Sequence, residues 1–153
     1  MYTTLLIDDE PLTTQALRKV IEDNFPIIEI LAEATNGIKA WDIIMGQQPD
    51  FIISDIRMPD LNGLQLIERI REAGLPIKVI LLTAYGEFEY AKKAIQLGAS
   101  SYLLKPFIQT ELIHEIYQIT QKLQEEKLVQ GYKSKVSKVI PIIEENSLKK
   151  LLA

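Results

Sequence analysis

What most narrows the fold of this chain is an alternation. Five short apolar runs, TTLLI (3–7), IIEILAEA (27–34), FIIS (51–54), KVILLT (78–83) and SYLL (101–104), are separated by helical patterns near 11–24, 37–46, 63–73 and 87–97. The runs are short, rich in β-branched residues and mostly non-alternating, which suits strands covered on both faces, as in a parallel sheet. Parallel neighbours need a crossover between them, and a helix in each gap supplies it. The simplest architecture is a doubly wound α/β fold with five parallel strands and helices on both sides.

Local signals agree. Pro11 fits the first turn of a helix, where its missing N–H costs nothing, and Gly98 follows EYAKKAIQL where a left-handed C-cap is expected. The helix from 87 puts Phe88, Ala91 and Ile95 on one side, with Lys92 and Lys93 turned elsewhere. A fifth helix begins near Thr110 and carries Leu112, Ile113, Ile116, Ile119 and Leu123. Beyond 124 the apolar residues thin and lysines accumulate. The expected division is therefore a domain over 1–125 and a helical linker or tail over 126–153, with Pro141 interrupting it before a short second helix.

Composition removes several classes of chemistry. With 153 residues, 47% apolar and 25% charged, the chain suits one ordinary globular core plus an appendage. No apolar run approaches the length of a membrane span, and MYTTLLIDDE lacks the basic start of a signal peptide, so a cytoplasmic location without membrane contact is expected. There is no cysteine, and the lone histidine, His114, is too little for a zinc site, so any metal must bind oxygen. A net charge of −4 argues against the first part of the chain binding nucleic acid by itself. Lys127, Lys133, Lys135, Lys138, Lys149 and Lys150 of the tail read as a solvated helix face, with phosphate contact as the rival.

The first strand ends in three carboxylates, Asp8, Asp9 and Glu10, whose mutual repulsion calls for a counter-charge. In an open parallel sheet, ligands bind beyond the carboxyl ends of the strands where the strand order reverses. If the first and third strands are neighbours, as in the order 2-1-3-4-5, Asp55 at the end of the third joins Asp8 and Asp9 in one crevice. Clustered hard oxygens suit Mg²⁺ or Mn²⁺. Thr83 and Lys105, at the ends of the fourth and fifth strands, add a hydroxyl and a point charge. A carboxylate nucleophile, a divalent cation, a lysine and a hydroxyl donor are the parts that move a phosphoryl group onto an aspartate. On this reading Asp9, once neutralised, would stabilise the fold and weaken phosphorylation. Glu10 is better read as a helix N-terminal charge, and Trp41 as packing.

The set DD after strand one, D-x-x-M-P-x-x-x-G after strand three, T-A after strand four and Y-x-x-K-P at strand five resembles the receiver domain of bacterial two-component response regulators, over residues 1 to about 125. The resemblance implies a flavodoxin-like fold and a signalling switch rather than an enzyme. It implies Asp55 as phosphoacceptor from a sensor histidine kinase, and Mg²⁺ held by Asp9, Asp55 and the backbone carbonyl of Arg57, with Asp8 acting through water. Lys105 and Thr83 would meet the phosphoryl group, Tyr102 would turn inward with the threonine, and the Lys105–Pro106 bond would be cis. Arg57 and Tyr85 would flank the path of hydrolytic water and slow loss of the phosphoryl group.

The output would be phosphorylation-dependent homodimerisation through Lys92, Lys93, Gln96, Glu111 and Glu115. The stretch TAYGEFEYAKKAIQLGASSYLLKPF with the charged helix after it resembles AraC-type transcriptional regulators, which would contact DNA only through an effector domain that lies outside this sequence. A haloacid-dehalogenase-like phosphatase is the enzymatic rival. DIR at 55–57 lacks that family's second aspartate two residues on.

Overall fold

A computed structural model describes residues 1–84 and 86–146, without the side chains of 134 and 136–146. The element order is β1 (Tyr2–Ile7), α1 (Pro11–Asn24), β2 (Ile28–Ala34), α2 (Gly37–Gln47), β3 (Phe51–Asp55), α3 (Gly63–Glu72), β4 (Lys78–Thr83), α4 (Phe88–Gln96), β5 (Ser101–Leu104) and α5 (Gln109–Asn146). All five strands are parallel, in the order β2-β1-β3-β4-β5. Contacts group the chain into two units, one over Met1–Ile119 and one from Thr120 onward.

Right-handed crossovers explain the layers. The step from β1 to β2 runs one way along the sheet, and the steps through α2, α3 and α4 run the other way, so α1 covers the face opposite to those three. Residues alternate accordingly. Leu5, Ile7, Ile52, Val79 and Leu81 form one cluster with Ala40 and Ile44 of α2, Leu64, Ile67 and Ile70 of α3, and Ala94 of α4. Leu6, Ile53 and Ile80 point to the other face, where Leu17, Val20 and Ile21 of α1 and Leu112 and Ile116 of α5 are buried. The apolar runs of β1, β3 and β4 are thus central strands buried on both sides.

The edges depart from that expectation. β5 alternates, with Leu103 buried while Tyr102 and Leu104 are exposed, because a strand at the rim has only part of one face covered. The α4 stripe predicted from spacing is not the packed one either. Ala91 and Ala94 face inward, and Phe88 and Ile95 are 66% and 42% exposed.

Helix ends follow their local chemistry. Pro11 opens α1, and Asn62 and Gln65 form a reciprocal capping box on α3. Gly98 closes α4 at φ +91, with the Gly98 and Ala99 N–H groups donating to the Ile95 and Ala94 carbonyls, a Schellman arrangement that needs the left-handed residue. α5 runs through Pro141 as one helix to Asn146, where the sequence reading breaks it. A single proline removes one backbone hydrogen bond, and the helical bonds on either side keep the element continuous. Lys138, Lys149 and Lys150 of the tail reading lie outside the described side chains.

Candidate functional site

The carboxyl ends of β1, β3, β4 and β5 meet at one edge of the sheet. Register sets this: Ile7 pairs with Ser54, Asp55 with Leu82 and Thr83 with Leu104. The residues just past those pairs are Asp8, Asp55 itself, Thr83 and Lys105. The Lys105 N–H donates to the Thr83 carbonyl at 2.7 Å, and the Lys105–Pro106 peptide is cis.

The carboxylates of Asp8, Asp9 and Asp55 each offer an oxygen, and these oxygens lie within 4.8 Å of one another. Asp8 and Asp55 are buried, whereas Asp9 is exposed. The Lys105 ammonium answers the charge, donating to Asp8 Oδ2 at 2.9 Å and to Asp55 Oδ2 at 3.4 Å, with Glu10 Oε1 at 3.5 Å. Asp8 also accepts the Glu10 N–H at 2.9 Å, which fixes its rotamer at the mouth of α1.

One ammonium does not offset the burial of these carboxylates. Burial pushes the Asp55 carboxyl up to about 6, and the Asp8 charge adds to the rise, against the pull of Lys105 and the Arg57 N–H. Asp8 is raised too, by burial, although the Glu10 N–H and Lys105 work the other way. Burial works to lower Lys105, but the Asp8 hydrogen bond and the charges of Asp55, Asp8 and Glu10 outweigh it and hold the ammonium above its ordinary value. Three hard oxygen donors beside a deficit of positive charge fit a divalent cation of the Mg²⁺ type, which would relieve what Lys105 leaves uncompensated.

The other expected residues fall as follows. Thr83 is buried at the end of β4, its hydroxyl making, among the described residues, a long 3.5 Å contact to the Leu103 carbonyl. Tyr102 stands outward, 42% exposed. The Arg57 side chain pairs through Nε with Glu87 Oε1 at 3.0 Å and lies 5.7 Å from the centre of the Tyr90 ring. Tyr85 lies outside the described residues. His114 is an exposed residue of α5, and Trp41 is half-buried against the core beneath Arg69.

Backbone packing holds the phosphoacceptor candidate in place. The Gly63 N–H donates to the Ile56 carbonyl at 2.8 Å, and a Cβ at Gly63 would sit 2.5 Å from the Asp55 carbonyl oxygen. That close approach explains the glycine of the D-x-x-M-P-x-x-x-G motif.

Two residues escaped the sequence reading. Glu87 is one, 6% exposed one position before α4. Arg71 is the other, donating to the carbonyls of Leu75, Ile77, Leu97 and Gly98. Neither carries a local signal, since their partners are remote in sequence or meet only after the helices pack.

Comparison with known proteins agrees with the geometry. Residues 4–117 match the response regulator receiver domain family. A transcriptional regulatory protein of Bacillus subtilis, YesN, is 35% identical over 124 residues, 81% of this chain and 34% of its own length. The Escherichia coli transcriptional regulatory protein CusR is 34% identical over 112 residues, 73% of this chain and 48% of its own. The chain thus spans half or less of the length of these relatives. The receiver domain of AraT, a response regulator from Geobacillus stearothermophilus, superposes with a TM-score of 0.76 at 34% identity, covering 82% of this chain and 98% of that one. Among the described residues no helix is long and apolar enough to cross a membrane. The match over most of the chain, the strand order and the acidic pocket closed by a lysine converge on one assignment. This chain belongs to the response regulator receiver domain family, whose members are signalling switches rather than enzymes.

Proposed function

We propose that Asp55 accepts a phosphoryl group from a phosphohistidine of the kinase. A carboxylate oxygen attacks phosphorus in line, the P–N bond breaks, and its electron pair leaves with the imidazole, which takes up a proton. The observation that carries this reading is Lys105 Nζ lying 3.4 Å from Asp55 and 2.9 Å from Asp8. That ammonium orients the nucleophile before transfer and meets a phosphoryl oxygen afterwards. Asp9, Asp55 and the Arg57 backbone carbonyl would hold Mg²⁺, with Asp8 acting through water. The cation would supply neutralisation of the carboxylates and of the incoming phosphoryl oxygens. Thr83, whose hydroxyl has only a long contact among the described residues, would donate to the phosphoryl group.

The added charge, about two negative units, draws Lys105 and Thr83 inward and opens room for Tyr102. The surface of α4, β5 and the start of α5 would then pair two copies through Lys92, Lys93, Gln96, Glu111 and Glu115. Residues 126–153 serve on this reading as a helical linker to an AraC-type effector domain, through which DNA would be bound. YesN, similar over the receiver portion, is itself a transcriptional regulatory protein, which supports an effector role in transcription. Incubation with acetyl phosphate and Mg²⁺, followed by intact mass, tests the core of the proposal. One added phosphoryl group on the wild type and none on Asp55→Asn is the expected result; equal labelling of both refutes it.

A further inference from the structure

Arg57 and Glu87 line the same open cleft as Asp55 and Lys105. They are tied to each other there, Nε to Oε1 at 3.0 Å, in an unequal pair: the Arg57 side chain is 70% exposed and that of Glu87 is 7% exposed. The second Glu87 oxygen, Oε2, is buried without a hydrogen-bond partner among the described residues. A carboxylate held this way loses hydration at Oε2 and recovers only one charged contact, so the position is costly to keep. Glu87 is also where α4 starts, its carbonyl accepting the Ala91 N–H at 3.1 Å, and Arg57 reaches on to the face of Tyr90 in the next turn.

The other end of α4 is held differently. Arg71 donates to the Leu97 and Gly98 carbonyls at 3.2 and 2.9 Å while also bonding the Ile77 carbonyl ahead of β4. These bonds lie far from the cleft and have no competitor in it.

We propose that Glu87 is a positioning residue for the phosphoryl site: it holds the Arg57 guanidinium against the start of α4, and a phosphoryl group on Asp55 competes for that guanidinium and so releases the amino-terminal end of α4. This rests on Asp55 being the phosphoacceptor. The anion offers three oxygens to a planar fork of donors, a better match than one carboxylate oxygen. Once Arg57 leaves, Glu87 has no reason to stay buried, and α4 opens at its start while Arg71 keeps its end in place. By linkage, whatever weakens the Arg57–Glu87 pair must strengthen anion binding by the same factor.

The test is a double-mutant cycle on the full chain, titrated calorimetrically with beryllium fluoride in excess Mg²⁺. E87Q keeps the shape and removes the competing charge, so the half-saturating concentration should fall roughly two- to fivefold. In an Arg57→Ala background the same change should do nothing, whereas a merely structural role would act alike in both. A shift under about twofold, or an equal shift in both backgrounds, overturns the proposal. Hydrogen exchange on the wild type gives an independent reading that holds even if E87Q does not fold. Adding beryllium fluoride should speed exchange of the Ala91 amide and leave the Ala99 amide unchanged; no change at Ala91 overturns the proposal. If acetyl phosphate labels the wild type and E87Q is unresponsive, only the positioning role falls. If the wild type is neither labelled nor bound, the phosphoacceptor reading falls and takes this one with it.

Discussion

Replacing Asp55 with asparagine should stabilise the metal-free protein, and the size of the gain should depend on pH. The Asp55 carboxyl titrates at about 6 in the folded chain against an ordinary value of 3.8. Between those values the unfolded chain has released its proton and the folded chain has not. The folded state therefore binds more protons there, and stability falls as pH rises from about 4 to about 6, then stays low. Taken at face value the shift amounts to about 3 kcal/mol, and water in the open cleft reduces this to about 1–2 kcal/mol. Urea unfolding of wild type and Asp55→Asn in EDTA reads it directly. The variant should be more stable by about 1–2 kcal/mol at pH 7.5, and by no more than about half of that at pH 4.5. Mg²⁺ at about ten times its dissociation constant should add about 1.4 kcal/mol to the wild type and far less to the variant, closing the gap. Asp9→Asn should shift stability by less than about 0.5 kcal/mol, because Asp9 is exposed. That differs from the sequence reading, which located the relief at Asp9; burial puts it at Asp8 and Asp55. A gap of equal size at both pH values would mean that charge is not its cause, and a less stable variant in EDTA at pH 7.5 would refute the reasoning outright.

Three further outcomes follow from the packing. Lys105→Met leaves Asp8 and Asp55 without their shared ammonium, so acetyl phosphate labelling should slow at least about tenfold and metal-free stability should drop by about 1–3 kcal/mol, less in an Asp55→Asn background. Gly63→Ala drives a methyl to 2.5 Å from the Asp55 carbonyl oxygen, where only backbone can yield, so urea unfolding should show a loss of at least about 2 kcal/mol together with slower labelling. Arg71→Met leaves four carbonyls short of a donor and should cost about 2–4 kcal/mol in the same assay.

The fold was legible where burial is symmetrical. β1, β3 and β4 are covered on both faces, so their sequences are continuous apolar runs, and the supposed order 2-1-3-4-5, which gathers the acidic residues in one crevice, is the order observed. At α4 the same reasoning misread size as burial. Phe88 and Ile95 are the conspicuous apolar residues, yet the sheet accepts only Ala91 and Ala94 at that distance, and the large side chains stay outside. The acidic pocket was legible because each of its members ends a strand, and a parallel sheet gathers strand ends at one edge. Glu87 was not, because a glutamate just ahead of a helix reads as an ordinary dipole partner. Its ion-pair partner, Arg57, lies thirty positions earlier, and no local pattern encodes that meeting.

The way α4 is attached makes it the element that a charge change can move most cheaply. α3 buries Leu64, Leu66, Ile67 and Ile70, worth about 1.5–3 kcal/mol each, whereas α4 buries two alanines whose methyl groups contribute well under half of that apiece. Leu97 and Ala99 just past its end pack against the core, and what else holds α4 is polar: the Arg57–Glu87 pair at its start and the Arg71 bonds at its end. Its outer surface, with Phe88, Tyr90 and Ile95 exposed, continues onto Tyr102 and Leu104 of β5, so an apolar area lies uncovered on the element with the weakest apolar anchoring. Elements with little buried apolar surface open at low free energy, and a phosphoryl group on Asp55, as proposed above, would act on the polar attachment that remains. Filling the interface, by Ala94→Val for instance, would strain a tightly packed contact, not strengthen it, since Ala94 has no exposed surface to lose. The small residues that keep α4 lightly bound are therefore a requirement of the packing as well as of the switch.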